Sequence, residues 1–464
     1  MDALRNMKTP TIDELLNLAK DGTDHYALHL AEVNKETDVL ATEDIYNNKG
    51  VLLTRKGARI DHGAATRLVQ HKLFKPLDQQ VQLTESLDKH QLYQASLEMM
   101  HAYPDMAQIH SALQFEPVCR EVWAKADISP LMIQKLTVLK RRLPKQFENA
   151  LFCGWLSMLV AREMDLDPAT TSAALLAGLM HDVGFLHIPP AVLDKNAALT
   201  AEEWRAIQSH VVIGQIFVES IADVNPIVAR AVLEHHERCD GTGYPLGRAD
   251  ERLGLLGKVV GMADSVQAIR VNQFKKTGRT MRDLMPYLQM NDTTHSLPLY
   301  RVMMSILKKS GLEPSLVNSY GSVRAMSLYL RRRAVILLKI RELLQVFHAN
   351  LMKHTADQKN FPTCVTLHAL LKNVLTKTTS SGLEGNDILQ WLDGCAQDDD
   401  VSALRELNEL ELIENELFWH VGNVHRTAGI YFNRECPKEN ETSRTLQEVM
   451  QQIGLCLAEA RTLK

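Results

Sequence analysis

Histidine and aspartate recur in this chain on or beside the apolar faces of four separate helical stretches, and few packings can bury all of them at once. In SAALLAGLMHDVG, Ser172 to Gly184, the residues Leu175, Leu176, Leu179, Met180 and Val183 cover most of a helix surface, and His181-Asp182 stands at its end. The next stretch opens with Thr200-Ala201-Glu202-Glu203, a capping box of the S/T-x-x-E form. From there Trp204, Ile207, Val211 and Gly214 recur at the spacing of one helix, with His210 beside them. In IVARAVLEHHERCDG, Ile227 or Val228 and then Ala231 step toward His235, and His236 lies about 100° further round. The fourth stretch, LLGKVVGMADSVQAI, carries a single carboxylate, Asp264. Any one of these alone reads as a satisfied core histidine or a hydrogen bond between helices. Together they describe helices packed with their polar groups at one point, where a cation neutralises carboxylates that are costly to bury unpaired.

Imidazole and carboxylate in this mix suit iron, manganese, nickel or zinc, and the lack of thiolates argues against a structural zinc site. Six or more ligands are too many for one catalytic ion that keeps a position open. Two divalent ions sharing a bridging carboxylate are expected, which is the usual device for phosphoester hydrolysis.

The chain around this cluster is long enough for about three domains, at 464 residues with 45% hydrophobic and 23% charged positions. We divide it into an N-terminal region, 1–125, a site domain, 126–300, and a C-terminal helical region, 301–464, and expect a mainly α fold. The one strong strand signal is Asp38 to Ile60, a hairpin around the turn Asn47-Asn48-Lys49-Gly50. In the last region Ala403, Leu407, Leu410, Ile413, Leu417 and Val421 step by three or four as a buried helix face does, the basic run Arg331 to Arg333 reads as a solvated helix face, and Thr378 to Asn386 reads as a loop. The balance of 52 basic and 56 acidic residues, net −4, gives no general attraction to nucleic acid or to an anionic membrane. Seven scattered cysteines without a CxxC pair suit a reducing compartment, the N-terminus lacks a signal-peptide core, and apolar runs such as Leu151 to Ala161 are short for a bilayer. A cytoplasmic location is expected. The oligomeric state is open, a homo-dimer being one arrangement.

The order H-D, then L-T-x-E-E-W, then H-x-x-x-G, then HHERCDGTGYP, then an apolar helix with one Asp resembles the HD-GYP family of bacterial cyclic-di-GMP phosphodiesterases, from about Gln146 to Ile269. The resemblance implies an all-helical domain with a two- or three-metal centre, usually iron or manganese. It further implies hydrolysis of cyclic-di-GMP to the linear dinucleotide and GMP in second-messenger signalling. His181 and Asp182 would be the catalytic pair, with Asp182 bridging the metals. His210, His235 and His236 would complete the second metal's shell, and Asp264 would serve the first. Gly243, Tyr244 and Pro245, with Arg238 and Asp240 in the same loop, would shape the substrate entrance and meet GGDEF-domain proteins.

The chain also departs from the family. Asn149 stands where the family has the first metal-binding histidine, and an uncharged amide oxygen is a weaker ligand than imidazole. Lys145 replaces a glutamate that supports a third metal in some members. Phe185 takes the place of the lysine in HDxGK, and Pro190 that of the Asp in IPD; a phenyl ring supplies neither the charge nor the donors of a lysine. His187 is a loop histidine or a substitute donor, and Cys239 occupies a non-ligand position. Three readings therefore stand: an active cyclic-di-GMP phosphodiesterase, a degenerate module that binds cyclic-di-GMP or a GGDEF partner without turnover, and an HD hydrolase acting on another nucleotide.

Overall fold

Prolines and short polar side chains set where the helices of this chain begin. Ser129, Asp167 and Asn225 each accept a backbone N–H of the first turn, and a proline follows each of them, where its missing N–H costs nothing. Thr200 and Glu203 form both halves of the expected capping box. A computed structural model describes residues 25–197, 199–292, 294–317, 319–354, 362–383, 385–398, 401–434, 436 and 441–463. The first 24 residues of the expected N-terminal region lie outside them.

The fold is mainly α, as expected. The helices that matter below are α1 (Tyr26–Val33), α2 (Pro130–Arg142), α3 (Pro144–Glu163), α4 (Pro168–Met180), α5 (Ala201–Gln208), α6 (His210–Glu219), α7 (Pro226–Glu234), α8 (Leu255–Ile269), α9 (Val323–His354) and α10 (Leu404–Arg434). The described residues fall into two compact units. One runs to Ala268 and takes back His295–Gly311; the other comprises Ile269–Thr294 and the chain from Leu312 on.

In the first unit α3 is buried along most of its length, and α4 packs against it. The stretch Pro168–His187 is long and apolar enough to cross a membrane by composition, yet 78% of its apolar 18-residue window is buried inside the protein, as in a core element. The hairpin forms around the expected turn: Ile45–Tyr46 pairs with Leu52–Thr54, while Asn47 Oδ1 accepts the N–H groups of Lys49 and Val51. Val39–Ala41 extends it as expected, Leu40 bridging Arg59 with Ala41 N–H donating to the Ala58 carbonyl and Ile60 N–H to the Val39 carbonyl, and on its other edge pairs with Val81–Leu83, a strand too short for its pattern to stand out. The single helix expected from Thr200 to Gly214 is two, α5 and α6, broken at Ser209.

In the second unit two apolar clusters lie along α9, one from Val323 to Leu337 and the other from Ile336 to Leu351. The expected stripe on α10 is present, with Leu407, Leu410, Leu417 and Val421 buried. The basic run is not simply solvated. Arg333 is buried against Phe418 and the Tyr329 hydroxyl, and Arg331 pairs with Asp393; only Arg332 is exposed.

Candidate metal centre

The last carbonyls of a helix have no donor within the helix, and an imidazole three residues on can supply one. His181 follows α4, and its Nδ1 donates to the Gly178 carbonyl at 2.8 Å. His235 follows α7 and donates to the Val232 carbonyl at 2.7 Å. His210 follows the break at Ser209 and donates to the Ile207 carbonyl at 2.6 Å. Carbonyls only accept, so each Nδ1 carries a proton, and in the neutral ring each Nε2 offers a lone pair.

Those lone pairs converge. Nε2 of His210 lies 3.4 Å from Nε2 of His235, and Asp182 Oδ1 lies 3.4 Å from the first and 3.8 Å from the second. The other Asp182 oxygen, Oδ2, is 3.2 Å from His181 Nε2, which is itself 3.8 Å from Asp264 Oδ1. Lone pairs and carboxylates brought together in this way repel unless a cation sits among them. His210, His235 and His236 with Asp182 make one candidate cation group, and Cys153, His181 and Asp264 make another, the ligand atoms of each lying within 4.8 Å of one another. This donor set fits divalent metal, one Asp182 oxygen facing each group.

Asn149 lies among the atoms of the second group. Its amide nitrogen is 3.2 Å from His181 Nε2, 3.2 Å from Asp182 Oδ2 and 3.1 Å from Asp264 Oδ1. An amide can present nitrogen or oxygen from the same position. With oxygen turned inward, these separations match neighbouring ligands of one ion, which sit about 3 Å apart for octahedral bonds of about 2.1 Å.

Burial, then the neighbouring imidazoles, and for His236 also Arg238, hold His235 and His236 well below the ordinary imidazole range, and burial also lowers His210. These rings are neutral, as ligands must be. Burial opposes charge on His181 too, but Asp182 and Asp264 outweigh it and carry that imidazole up to about 9. Burial likewise pushes the Asp182 carboxyl up, and His181, His210 and His235 overcome this and hold it well below the usual carboxylate range.

His236 stands between the groups, with its ring stacked on Tyr244 at 4.8 Å and Nδ1 3.9 Å from Asp264 Oδ2. The loop behind Tyr244 is tied to this corner. Glu237 accepts the N–H groups of Leu246 and Arg248 at 2.6 and 3.0 Å, and Asp240 accepts the Thr242 N–H and hydroxyl at 3.0 and 2.6 Å. At Gly243 a Cβ would lie 2.4 Å from the Arg238 nitrogen, so only glycine lets the loop close here. Pro245 follows Tyr244, and the half-buried Arg238 reaches Ser265 Oγ at 3.4 Å and the Glu237 carbonyl at 3.1 Å.

The departures have structural roles. The Phe185 ring stacks on His210 with centroids 4.3 Å apart and planes 9° from parallel, fixing that imidazole. His187 is engaged by Lys135 Nζ at 2.8 Å and stacks on Tyr26 of α1. Pro190 opens a single helical turn, and Lys145 is exposed on the first turn of α3. Cys153 was missed by sequence reasoning. It lies one turn after Asn149 on α3, and that i, i+4 spacing is the one signal that could have found it.

Residues 132–296 match the HD domain family model. The chain is 35% identical over 158 residues to a cyclic di-GMP phosphodiesterase of Pseudomonas aeruginosa, covering 34% of this chain and 38% of that protein. It is 36% identical over 117 residues to a cyclic di-GMP phosphodiesterase of Thermotoga maritima, covering 25% and 32%. A 3′3′-cGAMP-specific phosphodiesterase of Vibrio cholerae is 33% identical over 111 residues, 24% of each chain. The matches thus span between about a quarter and two fifths of these relatives' lengths. The HD-type resemblance is borne out over this segment.

Proposed function

We propose that this HD domain is a cytoplasmic, metal-dependent phosphodiesterase that opens cyclic-di-GMP to the linear dinucleotide and carries it on to GMP. The observation that supports this reading is Asp182, buried, with one carboxylate oxygen turned to each of two donor groups. Asn149, His181 and Asp264 would hold one divalent ion and His210, His235 and His236 the other, with Asp182 common to both; iron or manganese suits these donors. Ions held there supply the electrophilic stabilisation and water activation that phosphodiester hydrolysis needs.

The protein's own part is positioning. The Nδ1 bonds to helix carbonyls fix three rings, Phe185 and Tyr244 brace two imidazoles by stacking, and Glu237 anchors the loop at the mouth. Arg238, beside Asp264's helix, offers a guanidinium suited to a phosphate oxygen, the charge that Phe185 cannot give. The relatives named for cyclic dinucleotides support the substrate class.

The test is to measure metal per chain in reduced protein, then to incubate it with cyclic-di-GMP and manganese or ferrous iron and look for linear dinucleotide and GMP. Product that vanishes on chelation and returns with metal is expected. Tight binding of the dinucleotide by metal-replete protein without any product would sink the enzyme reading and leave the binding module.

A further inference from the structure

We infer that Cys153 is a metal ligand, its thiolate taking up part of the coordination that Asn149 cannot provide. The inference rests on the metal-centre reading above and alters its chemistry. Cys153 is fully enclosed on α3, and its Sγ lies 3.5 Å from Asn149 Oδ1, on the side of the helix that faces the His181-Asp182 pair. It shares a cluster with an imidazole nitrogen of His181 and a carboxylate oxygen of Asp264, all within 4.8 Å of one another. That is the scale of a group gathered by one ion with bonds of about 2.0 to 2.3 Å.

Its placement is fixed by packing. A Cβ at Gly178 would lie 2.5 Å from the carbonyl of Cys153, so glycine on α4 is what lets the two helix backbones touch at this residue. The same Gly178 carbonyl holds His181. The contact that seats the imidazole therefore also seats the thiol beside it.

The second observation is the Asn149 amide. Its nitrogen lies within 3.2 Å of His181 Nε2, Asp182 Oδ2 and Asp264 Oδ1, and its oxygen accepts from the Cys153 thiol. Turning the amide over gives a cation an oxygen ligand and gives the Cys153 sulfur an N–H donor, which a thiolate needs in a buried site. When the ion binds, the thiol proton leaves to solvent. The first position then has sulfur, nitrogen and oxygen donors and the second has nitrogen and oxygen only. Sulfur draws the first position toward zinc, ferrous iron or cobalt over manganese or magnesium. The two positions differ in metal preference.

The test uses the full chain, stripped and reloaded with cobalt(II). The wild type is expected to bind cobalt and show a near-ultraviolet thiolate-to-cobalt charge-transfer band, lost in Cys153→Ser and in Cys153→Ala. Both variants are expected to keep the helical circular dichroism and the second ion while losing up to one ion per chain. X-ray absorption of the zinc-loaded wild type is expected to show a sulfur scatterer near 2.3 Å that is absent in Cys153→Ser. Cobalt bound at two per chain with no such band, or a band unchanged in Cys153→Ala, overturns cysteine ligation while the metal-centre reading stands. Failure of the folded wild type to bind cobalt at all overturns both.

Discussion

In the proposed metal centre, Asn149 puts an amide where an imidazole would bind better. Its amide already lies 3.1 to 3.2 Å from three ligand atoms, so an imidazole in its place needs no new backbone position. Asn149→His should raise the metal retained after dialysis by up to one ion per chain, because neutral imidazole binds borderline ions better than an amide oxygen. Elemental analysis of dialysed wild type and variant checks this, and unchanged stoichiometry would refute the role given to position 149. Much at this scale was legible in the sequence. His181, Asp182, His210, His235 and Asp264 stood out because polar residues on apolar faces need a reason, whereas Cys153 did not, because a cysteine on an apolar helix reads as ordinary core. Glu414, buried within the apolar stripe of α10, was passed over for the opposite reason: the periodicity of its neighbours hid it.

At the level of elements, the site is built from helix ends. The break at Ser209 puts His210 at a terminus like those that hold His181 and His235, and its ring meets the Ile207 carbonyl. The sequence did not reveal the break, since Trp204, Ile207, Val211 and Gly214 keep one period across it. The loop from Glu237 to Arg248 was legible as a loop from its glycines, but its anchor was not, because Glu237 acts on residues nine and eleven positions ahead. Glu237→Ala leaves two loop N–H groups without their acceptor, at a cost of about 1–3 kcal/mol. The variant should unfold at lower temperature and show a raised KM for cyclic-di-GMP while keeping the wild-type metal content. Loss of metal together with loop order would show that the loop and the ligands are not separable, against the division of roles drawn here.

Across the whole molecule, the first unit carries the candidate metal centre, and the second holds its own buried charges. Glu414 is fully enclosed on α10, with Arg333 Nε 3.2 Å from one oxygen, and among the described residues neither oxygen accepts a hydrogen bond. Burial pushes its carboxyl up to about 8, against the pull of Arg333. The sign follows from proton binding. Between the ordinary glutamate value of 4.5 and about 8, the folded unit holds a proton that the unfolded chain has released, so stability is full below that window and falls as pH rises through it. Glutamine mimics the protonated acid at every pH, and Arg333 keeps the Tyr329 hydroxyl and the Phe418 ring as partners in its presence. Glu414→Gln should therefore match the wild type near pH 5 and exceed it by on the order of 3–4 kcal/mol near pH 8, since each unit of pKa shift corresponds to about 1.4 kcal/mol and the shift is already net of the Arg333 attraction. Denaturant unfolding of wild type and variant at matched pH reads the difference directly. A gap between them that stays constant with pH would show that Glu414 is ionised in the folded unit throughout, and that Arg333 alone is enough to hold its charge.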